Sequence, residues 1–175
     1  MENQSSIERR ASRIKLLLMD CDGVLTDGRL WLMESGEEQK SFNVRDGMGL
    51  DLLRRAGLRS GVISGRVSGA LERRSQELQI DFLRQGTSDK IRAFSEILLE
   101  ARVDTGEVGF IGDDINDIPL MQQSELAVAV ADAAEETRKV AHFVTRAKGG
   151  DGAVREVIEI ILKAQGRWSE IMKHY

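Results

Sequence analysis

Residues 14–23 read IKLLLMDCDG: a short apolar run that stops at Asp20, then a second carboxylate at Asp22, then Gly23. A run of this length suits a buried strand better than a helix. Two carboxylates at i and i+2 after a strand point to the same side. Like charges so placed repel, so a cation between them or a shared proton is expected. Taken alone, the segment fits a polar loop equally well.

The same grammar recurs along the chain. Residues 58–64 (LRSGVIS), 108–111 (VGFI) and 126–130 (LAVAV) are short apolar runs, and residues 143–145 form a possible fifth. Between them lie residues 49–56, 67–78, 89–101 and 154–164, with apolar side chains at helical spacing, for example Val154, Val157, Ile158, Ile161 and Leu162. The 67–78 stretch carries Val67, Leu71 and Leu78, and the 89–101 stretch carries Ile91, Phe94, Ile97, Leu98 and Ala101. Strands alternating with helices predict an α/β fold, a mostly parallel sheet with helices on both faces. In such sheets ligands bind at the carboxyl ends of the strands. One segment breaks the alternation: residues 29–42 (RLWLMESGEEQKSF) read as a projecting β-hairpin with Ser35-Gly36 in its turn.

Composition narrows the function. The 175 residues suit one domain (1–175), with a polar extension over 1–13 and a tail over 165–175. A net charge of −4 argues against a nucleic-acid binder, which needs a basic face. One cysteine (Cys21) leaves no internal disulfide and no Cys-rich zinc site. Two histidines (His142, His174) leave little scope for a Ser/His/Asp triad. No apolar run approaches a membrane span and the polar start is not a secretory signal, so a cytoplasmic location and no membrane partner are expected.

Three further clusters follow or precede these elements. Gly112-Asp113-Asp114-Ile115-Asn116-Asp117 follows a strand, and hard oxygen donors without His or Cys point to Mg²⁺ rather than zinc, although Asp and Asn also start helices. Ser64-Gly65-Arg66 ends another strand, where a hydroxyl and backbone N–H groups could take an anion or simply cap a helix. Lys90 stands in the first turn of a helix, where a cation opposes the dipole; a solvated surface lysine is the plain alternative.

Together the four clusters, in order, resemble the haloacid dehalogenase (HAD) superfamily motifs: Asp-x-Asp-Gly, a Ser, a Lys and Gly-Asp-Asp-x-x-Asp. The segments DCDGVLTDG (20–28), GEEQK (36–40), RDGMG (45–49), SGRVS (64–68), Gln85-Gly86 with Asp89-Lys90, AVAVAD (127–132), GGDGAVRE (149–156) and KAQG (163–166) resemble, within it, the 3-deoxy-D-manno-octulosonate 8-phosphate (Kdo-8-phosphate) phosphatase family. Relatives acting on nonulosonate 9-phosphates tend to carry Gly-Glu-Lys where this chain has Gly65-Arg66-Val67, which favours the eight-carbon sugar acid.

The resemblance implies a Rossmann-like HAD fold without a cap domain, and the spacings from Asp22 to Ser64 and from Lys90 to Gly112 leave no room for one. It implies Asp20 as nucleophile, Asp22 as general acid and base, and Ser64 and Lys90 as holders of the phosphoryl oxygens. It implies Mg²⁺ bound by Asp20, the Asp22 carbonyl and Asp113, with Asp114 and Asp117 behind them and Asp117 fixing Lys90. Lipopolysaccharide biosynthesis and a homotetramer follow from the same likeness, with Leu30, Trp31 and Phe42 as hairpin contacts; Trp31 packing on its own subunit is the alternative. A sugar-acid phosphate calls for cations. Arg66 and Arg74, expected on one face of one helix, and Arg45 with Asp46, Gly47 and Gly65 are the candidate substrate contacts. The tail is expected to fray or to reach a neighbouring site; Asp27, close to the first motif, has either a site role or simply a turn to form with Gly28. A nonulosonate 9-phosphate phosphatase and a non-catalytic assembly module are the competing readings; the second is disfavoured because every motif residue is present.

Overall fold

The computed structural model describes residues 4–34, 36 and 38–175. Its centre is β1 (Leu16–Met19), buried along its whole length, with β4 (Arg59–Ile63) on one side and β6 (Val108–Gly112) on the other. β5 (Phe82–Arg84) extends the sheet beyond β4, and β7 (Leu126–Ala129) and β8 (Phe143–Val144) extend it beyond β6. All pairings in the six-stranded sheet are parallel. Strands covered on both faces read as apolar runs, which is why β1, β6 and β7 are visible in the sequence; β4 (RSGVI) shows this only over Val62-Ile63.

Eight helices surround this sheet among the described residues. α1 (Gln4–Ala11) and α2 (Val44–Arg55) pack on α7 (Ala153–Ala164). α4 (Lys90–Ala101), α5 (Ile118–Gln123) and α6 (Glu135–Val140) pack in sequence, α5 against β6 and β7. α3 (Gly69–Leu78) lies between β4 and β5 in the chain, and α8 (Trp168–Met172) closes it. Phe94 of α4 meets Phe110 of β6 edge to face at 6.5 Å between centroids, joining helix to sheet.

Several expectations are corrected. The polar start is a helix, anchored to the core by Ile7 and Ala11. The expected helix from residue 67 begins at Gly69, because the Ser68 side chain accepts from the Leu71 N–H and caps it. Val67 is therefore exposed, and Arg66 lies outside the helix that carries Arg74. Ile91 is likewise half exposed rather than core. The tail folds back on its own chain: Trp168, Ile171 and Met172 pack on the core, and Arg55 lies over the Tyr175 ring at 5.8 Å.

The hairpin is present as β2 (Trp31–Leu32) paired antiparallel with β3 (Glu38–Gln39). Of the turn expected at Ser35-Gly36, Ser35 lies outside the described residues. Leu30, Trp31, Leu32 and Met33 are all exposed, so Trp31 does not pack on its own subunit, whereas Phe42 is packed against the core.

Candidate active site

Three adjacent strands, β4, β1 and β6, deliver the site. Asp20 and Asp22 leave the end of β1, Ser64 the end of β4, and Asp113 the end of β6. The chain runs outward from β1 through β4 to β5, then crosses to β6 on the other side of β1. A ligand crevice is expected where the order reverses in this way.

The loop after β1 is tightly drawn. The Cys21 carbonyl accepts from the N–H groups of Val24, Leu25 and Thr26. Gly23 takes φ +85°, and a Cβ there would come within 2.0 Å of Asp113 Oδ2. Behind the loop, a Cβ on Gly149 would come within 1.7 Å of the Gly23 carbonyl oxygen, and the Gly150 N–H donates to the Val24 carbonyl. The Gly149-Gly150 segment thus presses on the loop that carries both carboxylates. Asp27 is exposed, accepts from the Arg29 N–H and serves its own turn.

Asp20 is buried, and Lys90 Nζ lies 3.1 Å from its Oδ1. Burial and the nearby Asp117 raise its pKa to about 6, Lys90 pulling the other way. Lys90 also donates to Asp117 Oδ1 at 2.8 Å. Burial works against the lysine's charge, but Asp117 and Asp20 outweigh it and its pKa is raised. Asp117 is wholly buried, and its Oδ2 accepts from the Asp113 N–H at 3.1 Å. Asp114 is exposed, caps the turn Ile115–Asp117 by accepting from the Ile115 N–H, holds the Asp117 N–H on its carbonyl, and adds its charge to the field at Asp113.

These groups can hold a hard divalent cation. Oxygens of Asp20, Asp113 and Asp117 lie within 4.8 Å of one another. Asp113 Oδ1 is buried with no hydrogen-bond partner. Burial, then the charges of Asp117 and Asp20, push the pKa of Asp113 to about 8. A cation would satisfy the orphan oxygen and remove the repulsion together.

Ser64 is buried at the end of β4; its Oγ accepts from the Arg66 N–H at 3.2 Å and its own O–H remains to be donated. Gly65 beside it is exposed. Arg66 leans toward the hairpin, its guanidinium paired with Glu38 and its Nε 3.9 Å from Asp22 Oδ2. Arg74, on α3, pairs with Glu77 at 2.9 Å and packs against Gly47 of α2, where a Cβ would meet its Nη2. Asp46 is not brought to the acidic cluster. It is buried, and its carboxylate accepts from the Arg155 N–H (2.8 Å) and the Gly152 N–H (3.3 Å) at the start of α7. Arg45 is exposed at the first turn of α2.

Two residues of the site were not singled out in the sequence. Lys40 pairs with Asp22 and, at 2.6 Å, with Glu38, and Glu38 in turn holds Arg66. The signal in the sequence is the GEEQK segment, which carries part of the family resemblance but whose opposite charges otherwise read as an ordinary polar hairpin strand.

Comparison with known proteins places this geometry. The haloacid dehalogenase-like hydrolase family model matches residues 70–158. The chain is 46% identical to the 3-deoxy-D-manno-octulosonate 8-phosphate phosphatase of Yersinia pestis over 91% of this chain and 85% of the relative. It is 43% identical to the enzyme of the same name from Escherichia coli K12, over 92% and 86%. The solved structure of the Moraxella catarrhalis 3-deoxy-D-manno-octulosonate 8-phosphate phosphatase, in complex with magnesium ion, phosphate ion and Kdo, superposes with a TM-score of 0.96 at 36% identity, covering 98% of this chain and 99% of that one. With its acidic cluster at the ends of β1 and β6 and this degree of likeness, the chain belongs to the haloacid dehalogenase-like hydrolases, among the Kdo-8-phosphate phosphatases, which are phosphoric monoester hydrolases.

Proposed function

We propose that this chain hydrolyses Kdo-8-phosphate to Kdo and phosphate through an aspartyl-phosphate on Asp20, a step in lipopolysaccharide biosynthesis. The observation that carries the reading is the meeting of the buried Asp20 carboxylate, the Lys90 ammonium and the unpartnered Asp113 oxygen at adjacent strand ends. It is supported by the magnesium, phosphate and Kdo bound in the Moraxella relative.

Asp20, Asp113 and the Asp22 carbonyl would hold Mg²⁺, which when bound supplies the positive charge a carboxylate needs to approach a phosphate dianion. Asp20 attacks phosphorus in line with the sugar oxygen. Asp22 gives a proton to that oxygen as it departs, and then takes one from the water that attacks the aspartyl-phosphate. The Ser64 O–H and the Lys90 ammonium bind the phosphoryl oxygens, where charge is spread in the transition state. Lys90 is kept cationic and aimed by Asp117. Arg66, Gly65, Arg45, Gly47 and Arg74 remain candidates for the sugar-acid end. Asp46 is withdrawn from that set, because its oxygens are already spent on backbone N–H groups.

The active chain is a homotetramer in this reading. The exposed Leu30, Trp31, Leu32 and Met33 give the hairpin apolar surface on both of its sides, suited to a second copy, and a capless site needs a neighbour to cover it. Among the described residues no helix is long and apolar enough to cross a membrane.

The test is phosphate release from Kdo-8-phosphate with Mg²⁺, beside a nonulosonate 9-phosphate as competitor and with EDTA and Asp20→Asn controls. Metal-dependent release that favours the eight-carbon substrate is the expected result. Release from the nine-carbon substrate alone would keep the mechanism and overturn the substrate. Sedimentation of Trp31→Asp with Leu32→Asp is expected to show a smaller species than the parent.

A further inference from the structure

Lys40 leaves the end of the hairpin and turns inward, its side chain only 1% exposed. A buried ammonium is costly unless its charge is met. Here it is met twice, by Asp22 Oδ1 and by Glu38 Oε1. Glu38 is itself fixed by Arg66 through its other oxygen. The four side chains alternate in sign, so Lys40 is clamped by a partner that is clamped in turn.

The arrangement divides the two oxygens of Asp22. Oδ1 is occupied by Lys40. Oδ2 has Arg66 Nε at 3.9 Å, beyond hydrogen-bond distance, and stays available. A general acid or base works only when the exchanging oxygen is held within about 2.6–3.2 Å of its partner. A short side chain on a loop, free to rotate, would spend time turned away.

We infer that Lys40 is a positioning residue: by occupying Oδ1 it reserves Oδ2 of Asp22 as the oxygen that exchanges the proton with the sugar oxygen and with water. Lys40 itself touches no reacting atom. The inference rests on Asp22 being the acid and base of the proposed phosphatase. It also makes the hairpin part of the reaction, since the strand that displays Trp31 is paired with β3, which leads directly into Lys40.

The test compares leaving groups. Kdo-8-phosphate must expel an alkoxide, which needs a proton; p-nitrophenyl phosphate expels a stable phenolate, which does not. The value of kcat/KM reports the steps up to phosphoryl transfer, so it isolates the acid role. Lys40→Met is expected to lower kcat/KM for Kdo-8-phosphate on the order of 10²-fold, with p-nitrophenyl phosphate much less affected. Asp22→Asn is expected to show the same selectivity, and adding Lys40→Met to it to cost little more, because the two act as one unit. Lys40→Gln, which keeps a polar side chain in the buried position, guards against loss of folding and is expected to repeat the pattern. Equal losses on both substrates, or a full additional loss in the double variant, would overturn the inference. Failure of the parent protein to release phosphate from either substrate would instead overturn the functional reading beneath it.

Discussion

Lys90 Nζ and Asp117 Oδ1 are 2.8 Å apart, and both side chains are buried. The pair joins the first turn of α4 to the loop after β6, with Asp20 3.1 Å from the same ammonium. Removing Asp117 leaves a buried cation with one partner instead of two. Asp117→Asn is expected to lower kcat about 10–100-fold, as supporting residues of a metal or phosphate site typically do. Steady-state kinetics on a folded variant checks this; unchanged kcat would contradict the role given to the pair.

Metal binding and pH are linked through the same acidic cluster. In the metal-free protein the pKa of Asp20 stands at about 6 and that of Asp113 at about 8, above the ordinary 3.8. Groups raised on folding contribute stability that is full below the ordinary value and is lost as pH rises through the folded values. The metal-free fold therefore loses stability from these two groups between about pH 4 and 8, and Mg²⁺ has more to relieve at pH 8 than at pH 6. Mg²⁺ is expected to raise the Tm more at pH 8, and its affinity to strengthen about tenfold per pH unit for each proton displaced. Melting curves with and without Mg²⁺ check this; an equal or larger Tm rise at pH 6 would contradict it.

Gly149 supports the catalytic loop by having no side chain. A Cβ would come within 1.7 Å of the Gly23 carbonyl oxygen, and backbone cannot yield as a side chain tip can. Gly149→Ala is expected to destabilise by about 1–3 kcal/mol, the cost of overpacking, and to lower activity by displacing Asp20 and Asp22. Urea unfolding beside a kinetic assay checks both effects. Full activity at full stability would mean that the loop tolerates the shift.

Asp46 gives a contrasting case. Its carboxylate ties α2 to the start of α7 through two backbone N–H groups, far along the chain from it. Asp46→Ala is expected to cost about 1–3 kcal/mol of stability, the penalty of unpaired buried donors, while KM for the substrate stays close to the parent value. A large rise in KM without loss of stability would return Asp46 to the substrate site.

The parts of the molecule legible in the sequence are those whose cause is local. Strands β1, β6 and β7 and the Val62-Ile63 end of β4 are apolar because both faces are covered, and Asp20, Ser64 and Asp113 stand where those runs end. β5 escaped notice because it is three residues long at the sheet edge, with Leu83 and Arg84 only partly buried. α1 escaped because only Ile7 and Ala11 of its eight residues face the core. The spacing of Arg66 and Arg74 suits one helix, but the Ser68 cap, a competing local signal, starts the helix after Arg66. The roles of Lys40 and Asp46 are not legible because their deciding partners, Asp22 and the N–H groups of Gly152 and Arg155, are distant in the chain. A buried lysine on a surface hairpin, and a carboxylate spent on the N–H of Arg155, leave no trace in a pattern of neighbours.

Identifying the group that takes the phosphoryl tests the central claim most directly. Kdo-8-phosphate labelled with ³²P would be mixed with the Mg²⁺-loaded protein, quenched in acid within one turnover, and the labelled peptide mapped. Label on Asp20, absent from Asp20→Asn and lost at high pH as an acyl phosphate is, is the expected result. Phosphate release at full rate with no label on Asp20, or release undiminished in Asp20→Asn, would contradict it.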